Sequence, residues 1–114
     1  MRSTIAQGDS IDLLARVTLD DGSYPAIASI TAVTIAVRNT TMDQITLTQG
    51  LAGADVVTSV PVRDDRWKED DIGHTLSISL ADTVFPFIGN YRVEVTITRD
   101  DGGITPLVWE VQVV

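Results

Sequence analysis

The sequence predicts an all-β fold: an antiparallel β-sandwich of about seven to eight strands, built as a single domain over residues 1–114. Three observations carry this reading. Apolar residues recur at every second position along most segments, clusters of Gly, Asp, Asn and Ser separate those segments at near-regular spacing, and no stretch sustains a helical period. A closed barrel is the competing architecture. A chain of 114 residues encloses one core and not two.

From the amino terminus, residues 4–6 read as a short strand and Gln7-Gly8-Asp9-Ser10 as the turn that ends it. Ile11, Leu13, Ala15, Val17 and Leu19 then alternate with Asp12, Leu14, Arg16 and Thr18, predicting a strand over residues 11–19 that stops at Asp20-Asp21-Gly22. Leu14 interrupts the polar face, which implies that part of that face is covered. Residues 23–29 show no clear period and connect across the end of the sandwich. A strand over residues 32–38 turns Val33, Ile35 and Val37 inward. Asn39 to Asp43 form a turn, residues 44–48 a shorter strand, and residues 50–55 a loop of small residues. The strand over residues 56–62 contains Pro61, which has no N–H to give to a ladder, so the strand lies at a sheet edge or ends there. Residues 63–73 are dense in charge and read as a loop. Over residues 74–80, Leu76, Ile78 and Leu80 alternate with Thr75, Ser77 and Ser79, and residues 81–88, with Phe85-Pro86-Phe87, lead into the final hairpin.

That hairpin is the clearest element. Tyr91, Val93, Val95 and Ile97 alternate with Arg92, Glu94, Thr96 and Thr98, and the alternation returns as Leu107, Trp109, Val111 and Val113. A three-residue loop at Asp101-Gly102-Gly103 pairs Ile97 with Leu107, Val95 with Trp109 and Val93 with Val111, so that the apolar residues share one face. In that register Glu94 and Glu110 fall opposite one another on the outer face.

Composition excludes several classes. There are no cysteines, so neither a disulfide nor a thiolate metal site supports the fold. A net charge of −8 disfavours nucleic acid and anionic membrane surfaces as partners, because both are held by Lys and Arg. The first residues carry no apolar signal-peptide core and no stretch is long enough to span a bilayer, which predicts synthesis in a cytoplasm without export.

Gly89-Asn90-Tyr91-Arg92-Val93 resembles the tyrosine corner of immunoglobulin-like domains, in which a Tyr opens the penultimate strand and its hydroxyl returns to the backbone. Val93 stands where an antibody-type domain has Cys, so an immunoglobulin-like sandwich without the disulfide is implied. Over nearly the whole chain, Ile5-Ala6-Gln7-Gly8-Asp9-Ser10, Asp20-Asp21-Gly22, Ile30-Thr31-Ala32, Val37-Arg38, Gly89-Asn90-Tyr91 and Asp101-Gly102 resemble the amino-terminal immunoglobulin-like domain of phage upper baseplate proteins. Those domains attach receptor-binding or fibre components to a tail. The resemblance implies a non-enzymatic structural module of the virion, whose partners are other virion subunits in a symmetric assembly. It implies no cofactor.

Among candidate sites, the acidic loop offers Asp64, Asp65, Glu69, Asp70 and Asp71, which together hold much of the oxygen shell of a calcium ion. Their spacing is not that of an EF-hand, and Arg63, Arg66 and Lys68 are interleaved to neutralise them, so a solvated charged loop is the competing reading. Trp67, Phe85 and Phe87 either cap the core or anchor a partner. His74, the single histidine, lies at a strand start with no catalytic partner at useful spacing. Val108 and Val114 face outward on the last strand, whose edge suits docking of another subunit by strand addition unless the first strand covers it. The alternative functions are a carbohydrate- or surface-binding module, as in an adhesin, and a capsid decoration protein.

Overall fold

The computed structural model describes residues 2–114. Strand β7 (Gly89–Arg99) shows how the alternating pattern makes the core: Tyr91, Val93, Val95 and Ile97 are at most 2% exposed while Arg92 and Glu94 face solvent. The other strands, in chain order, are β1 (Arg2–Ile5), β2 (Ile11–Ala15), β3 (Ile30–Asn39), β4 (Gln44–Leu51), β5 (Val57–Val62), β6 (His74–Leu80) and β8 (Ile104–Val113). They form a five-stranded sheet in the order β1-β8-β7-β3-β4 and a three-stranded sheet in the order β2-β6-β5. This is the immunoglobulin-like arrangement, two sheets face to face with the chain crossing between them. Leu13, Leu76, Ile78 and Leu80 of the small sheet pack against Val33, Ile35, Val37, Val95 and Trp109 of the large one. Each such side chain, fully buried, contributes roughly 1.5–3 kcal/mol of transfer free energy. Among the described residues, no helix is long and apolar enough to cross a membrane.

The tyrosine corner is present. The Tyr91 hydroxyl donates to the Phe87 carbonyl at 2.8 Å and accepts from the Phe87 N–H at 3.1 Å, and Phe85 meets its ring edge-on at 5.0 Å. The segment that crosses from the small sheet to β7 is thereby fixed to the core at both backbone and ring.

Several expectations need correction. Tyr91 pairs with Val111, Val93 with Trp109 and Val95 with Leu107, a register two residues away from the one the alternation suggested. The loop does have three residues, but they are Asp100-Asp101-Gly102: Gly102 N–H bonds Arg99 O at 3.0 Å, Arg99 N–H bonds Gly103 O at 2.9 Å, and Gly102 takes the left-handed φ of 83° that this turn demands of its third residue. A slide of two preserves every face, so the inward set is unchanged. The outer pairs do change: Glu110 lies opposite Arg92, and Glu94 lies opposite Val108.

Strand β1 starts two residues earlier than expected and runs parallel to β8, with Arg2 beside Glu110 and Ile5 beside Val113. Among the described residues it is the one parallel pairing in an otherwise antiparallel fold, and it covers the β8 edge from Glu110 to Val113. Strand β2 ends at Ala15, not Leu19, because the Thr75 hydroxyl takes the Val17 N–H at 2.8 Å in place of a ladder bond; Val17 nevertheless remains 2% exposed. Strand β4 runs through Gly50 to Leu51, and the expected loop after it contains a single helical turn, Gly53–Val56, that buries Val56. Of the two readings Pro61 allowed, the edge strand is the one found: β5 pairs with β6 at Val57 and Val62 with an irregularity between.

Val95 is 1% exposed and Thr96, on the opposite face, is half-buried, so Val95→Asp should abolish folding by burying an unpaired charge. Thr96→Asp should cost no more than about 1 kcal/mol in chemical denaturation. Equal tolerance of both substitutions would remove the assigned faces.

Candidate interaction surfaces

The outer face of β2 carries Asp12, Leu14 and Arg16, and the acidic loop closes over it. Asp70 is the centre of one attachment: its carboxylate accepts from Arg16 at 2.8 and 2.7 Å, from the Trp67 indole N–H at 3.0 Å and from the backbone N–H groups of Ile72 and Gly73 at 2.9 and 3.3 Å. Asp64 is the centre of the other. It accepts from the backbone N–H of Arg66 at 2.9 Å and from its guanidinium at 2.7 Å, while Arg66 also reaches Asp12 and the Ser77 hydroxyl at 3.3 Å. Asp12 in turn accepts from Ser79 at 2.6 Å. The half-exposure of Leu14, the apolar residue that breaks the polar face of β2, follows from this lid.

These contacts decide the chemistry of the loop. The Arg16 guanidinium and then the Trp67 N–H hold the Asp70 carboxyl far below the usual carboxylate range, and Arg66 lowers Asp64 in the same way. The Ser79 hydroxyl lowers Asp12. Two of the five candidate calcium ligands, Asp64 and Asp70, thus have their oxygens committed to arginine and backbone donors, while Asp65, Glu69 and Asp71 stay exposed on the outside of the loop. Among the described residues no group of three or more His, Asp or Glu is placed to hold a metal ion. The geometry is that of a charge-strapped lid.

Trp67, itself part of this lid, is half-buried, with the Arg16 guanidinium 5.9 Å from its ring centroid and the His74 ring 6.0 Å away. Those contacts occupy ring surface on which a sugar would stack. Trp67 also borders a groove of about 450 Å³ between β1 and β2, together with Arg2, Leu14, Lys68 and Trp109. His74 is 3% exposed, with Nε2 3.8 Å from Asp64.

Of the two phenylalanines, Phe85 is 2% exposed and belongs to the core, which removes it from any docking surface; Phe87 is 47% exposed. The reason is the tyrosine corner: the Tyr91 ring receives the Phe85 side chain, whereas the Tyr91 hydroxyl holds only the backbone of Phe87, at a bend that leaves the Phe87 side chain outside. Val114, 61% exposed, lies at the same end: Gln7 bonds the Pro86 carbonyl through its side chain and the Val114 carbonyl through its N–H, at 3.2 and 3.0 Å. Ile88 is 60% exposed and joins them. It lies in the bend just before β7, where two-residue alternation assigns no face, so its exposure had no clear signal in the sequence. Val108 is half-buried on the outer face of the large sheet, opposite Glu94, and does not belong to this end. The roles of Arg16 and Asp12 in fixing the lid had no local sequence signal beyond Leu14.

Compared with protein-family models, with curated proteins and with solved structures, the chain finds no match.

The ionic lid gives a pH dependence. Because the folded Asp70 titrates below its unfolded value of about 3.9, its stabilisation is fully present above that pH and is lost as pH falls through the folded value. The stability gap between wild type and Asp70→Asn should be present at neutral pH and close below about pH 4 in acid titrations followed by Trp fluorescence. A gap independent of pH would show that the carboxylate charge is irrelevant. Gly73 closes the loop at φ 109°, where an added Cβ would collide with the Val62 carbonyl, so Gly73→Ala should lower stability by more than about 1 kcal/mol.

Proposed function

We propose that this chain is a non-enzymatic structural module that docks neighbouring subunits of a virion, of the kind that phage tails and baseplates use. The observation that carries the docking role is the group of exposed apolar side chains at one end of the sandwich, Phe87, Ile88 and Val114, at 47%, 60% and 61% exposure. Adjacent exposed apolar residues rimmed by polar ones mark interaction sites, because their transfer out of water drives association. They project from a rigid base, since Phe87 is held by Tyr91 and the preceding segment by Phe85. The virion setting rests on the turn motifs that resemble upper baseplate domains.

Other features favour a passive module over an enzyme or a sugar-binding domain. The single histidine is sealed in the core, and Asp12, Asp64 and Asp70 are engaged by arginine or hydroxyl donors, which leaves them poor acids and bases at neutral pH. Trp67 is engaged by Arg16 and Asp70. The open end patch is better suited to another protein surface than to a polar ligand.

The test is co-purification of the tagged chain with phage particles and separated tails. The wild-type chain should enter tails, and Phe87→Ser with Ile88→Ser should reduce incorporation by at least about tenfold without changing the Tm. Exclusion of the wild-type chain from all particles would overturn the proposal. Incorporation into heads alone would make it a decoration protein, and glycan binding abolished by Trp67→Ala would replace the assembly reading with a carbohydrate one.

A further inference from the structure

The outer face of the five-stranded sheet is self-complementary, and we infer that it docks a second copy of this chain through a two-fold axis running along β7. This goes beyond the apolar end and does not depend on it. Strand β7 is the middle strand of five, so rotation about it by half a turn lays β8 of one copy over β3 of the other. The register fixes what then meets. Across the sheet, the outward rows are Glu110-Arg92-Arg38, Val108-Glu94-Ala36, Pro106-Thr96-Thr34 and Ile104-Thr98-Ala32, each written from β8 through β7 to β3.

In every row the β8 and β3 members are complementary. Glu110 faces the partner's Arg38, and the bulkier Val108, Pro106 and Ile104 face the smaller Ala36, Thr34 and Ala32. Because the contact is isologous, each pairing occurs twice. The outer strands continue the pattern: Arg2 lies beside Glu110 and Ile45 beside Arg38, so the aliphatic stem of Arg2 lies over the partner's Ile45, which is 64% exposed in one chain. On the axis each β7 side chain meets its own symmetry mate, and the Arg92–Glu94 bond of 2.6 Å within each copy pairs those charges.

Charge and area both fit this occupant. The whole chain has a net charge of −8, yet this face and its margin hold three arginines (Arg2, Arg38, Arg92) against three acids (Asp43, Glu94, Glu110), a sum of zero. The remaining surface carries the full −8 and repels its own kind. Strands of four, ten, eleven, ten and eight residues, at about 3.3 Å rise and about 4.8 Å spacing, give a face of roughly 700 Å², close to the about 800 Å² that each partner contributes to a stable interface. Small and β-branched side chains along β3 allow the two sheets to approach to about 10 Å, the usual spacing of packed sheets.

Sedimentation equilibrium of the full chain tests this. The expected species is a dimer of the 12.3 kDa chain. Ala36→Arg should convert it to a monomer that keeps its β-sheet circular dichroism spectrum and cooperative unfolding, and Thr34→Arg, at an exposed position, provides the same test if Ala36→Arg perturbs folding. Arg38→Glu and Glu110→Arg alone should each raise the dimer Kd by on the order of tenfold, since each alters two symmetric contacts. Together they should bring it back to within about threefold. Phe87→Ser should leave the dimer intact while reducing particle incorporation, which separates this inference from the docking role of the end patch. A wild-type chain that is monomeric at all concentrations, a dimer that survives Ala36→Arg and Thr34→Arg, or loss of the dimer in Phe87→Ser would each overturn it.

Discussion

Strand β7 is paired on both sides within its sheet and sealed on its inner face by the opposing sheet, so each of its residues is committed by position. Tyr91, Val93, Val95 and Ile97 have no alternative to the core, and Arg92, Glu94, Thr96 and Thr98 have none to the outer face. A one-residue slip would exchange the two sets and bury an ion pair. Everything else is arranged around that commitment: β8 folds back on one side, β3 lies on the other, and the small sheet closes over the apolar face. The Tyr91 hydroxyl carries the constraint out of the strand, fixing the backbone of Phe87 and so determining which aromatic is core and which is surface.

The second organising device is electrostatic. Residues 63–73 carry too little apolar surface to pack as a strand, and their order comes from two carboxylates that each hold an arginine, Asp64 with one backbone N–H and Asp70 with two. Arg16 and Arg66 then connect the loop to the outer face of β2 and its neighbour. A partly exposed ion pair alone contributes little. Here the same carboxylates also terminate turns, and a loop already held by backbone hydrogen bonds loses less entropy when its side chains pair. An acid-rich segment is thereby used as a lid over the outer face of β2, carrying its own half-buried tryptophan.

The two candidate surfaces differ in kind. The end bearing Phe87, Ile88 and Val114 is apolar and projecting, suited to insertion into a different protein. The outer face of the large sheet is flat, balanced in charge and patterned so that each half complements the other. A domain with both could pair with itself through one and attach elsewhere through the other, which is how a small rigid block becomes part of a symmetric assembly.

Periodicity made the architecture legible. Alternation by two assigned the inward residues of β3, β6, β7 and β8, Pro61 marked an edge strand or a strand end, and Leu14 announced that the outer face of β2 was covered. A register is not contained in that pattern, because a slide by two leaves every face unchanged; the requirement for a left-handed residue at the third loop position placed the turn on Gly102. Nor did the pattern contain the parallel pairing of β1 with β8, which depends on where the chain enters the fold. For the candidate sites, local sequence supplied the acids and the aromatics but not their partners. Arg16 lies 54 residues from Asp70, and only the packing of the loop against β2 brought that carboxylate to its arginine. Residue order alone determined which side chains face inward, since that follows from the two-residue pleat; tertiary structure decided which strands lie beside one another and which charges meet, since those contacts join segments the chain keeps far apart.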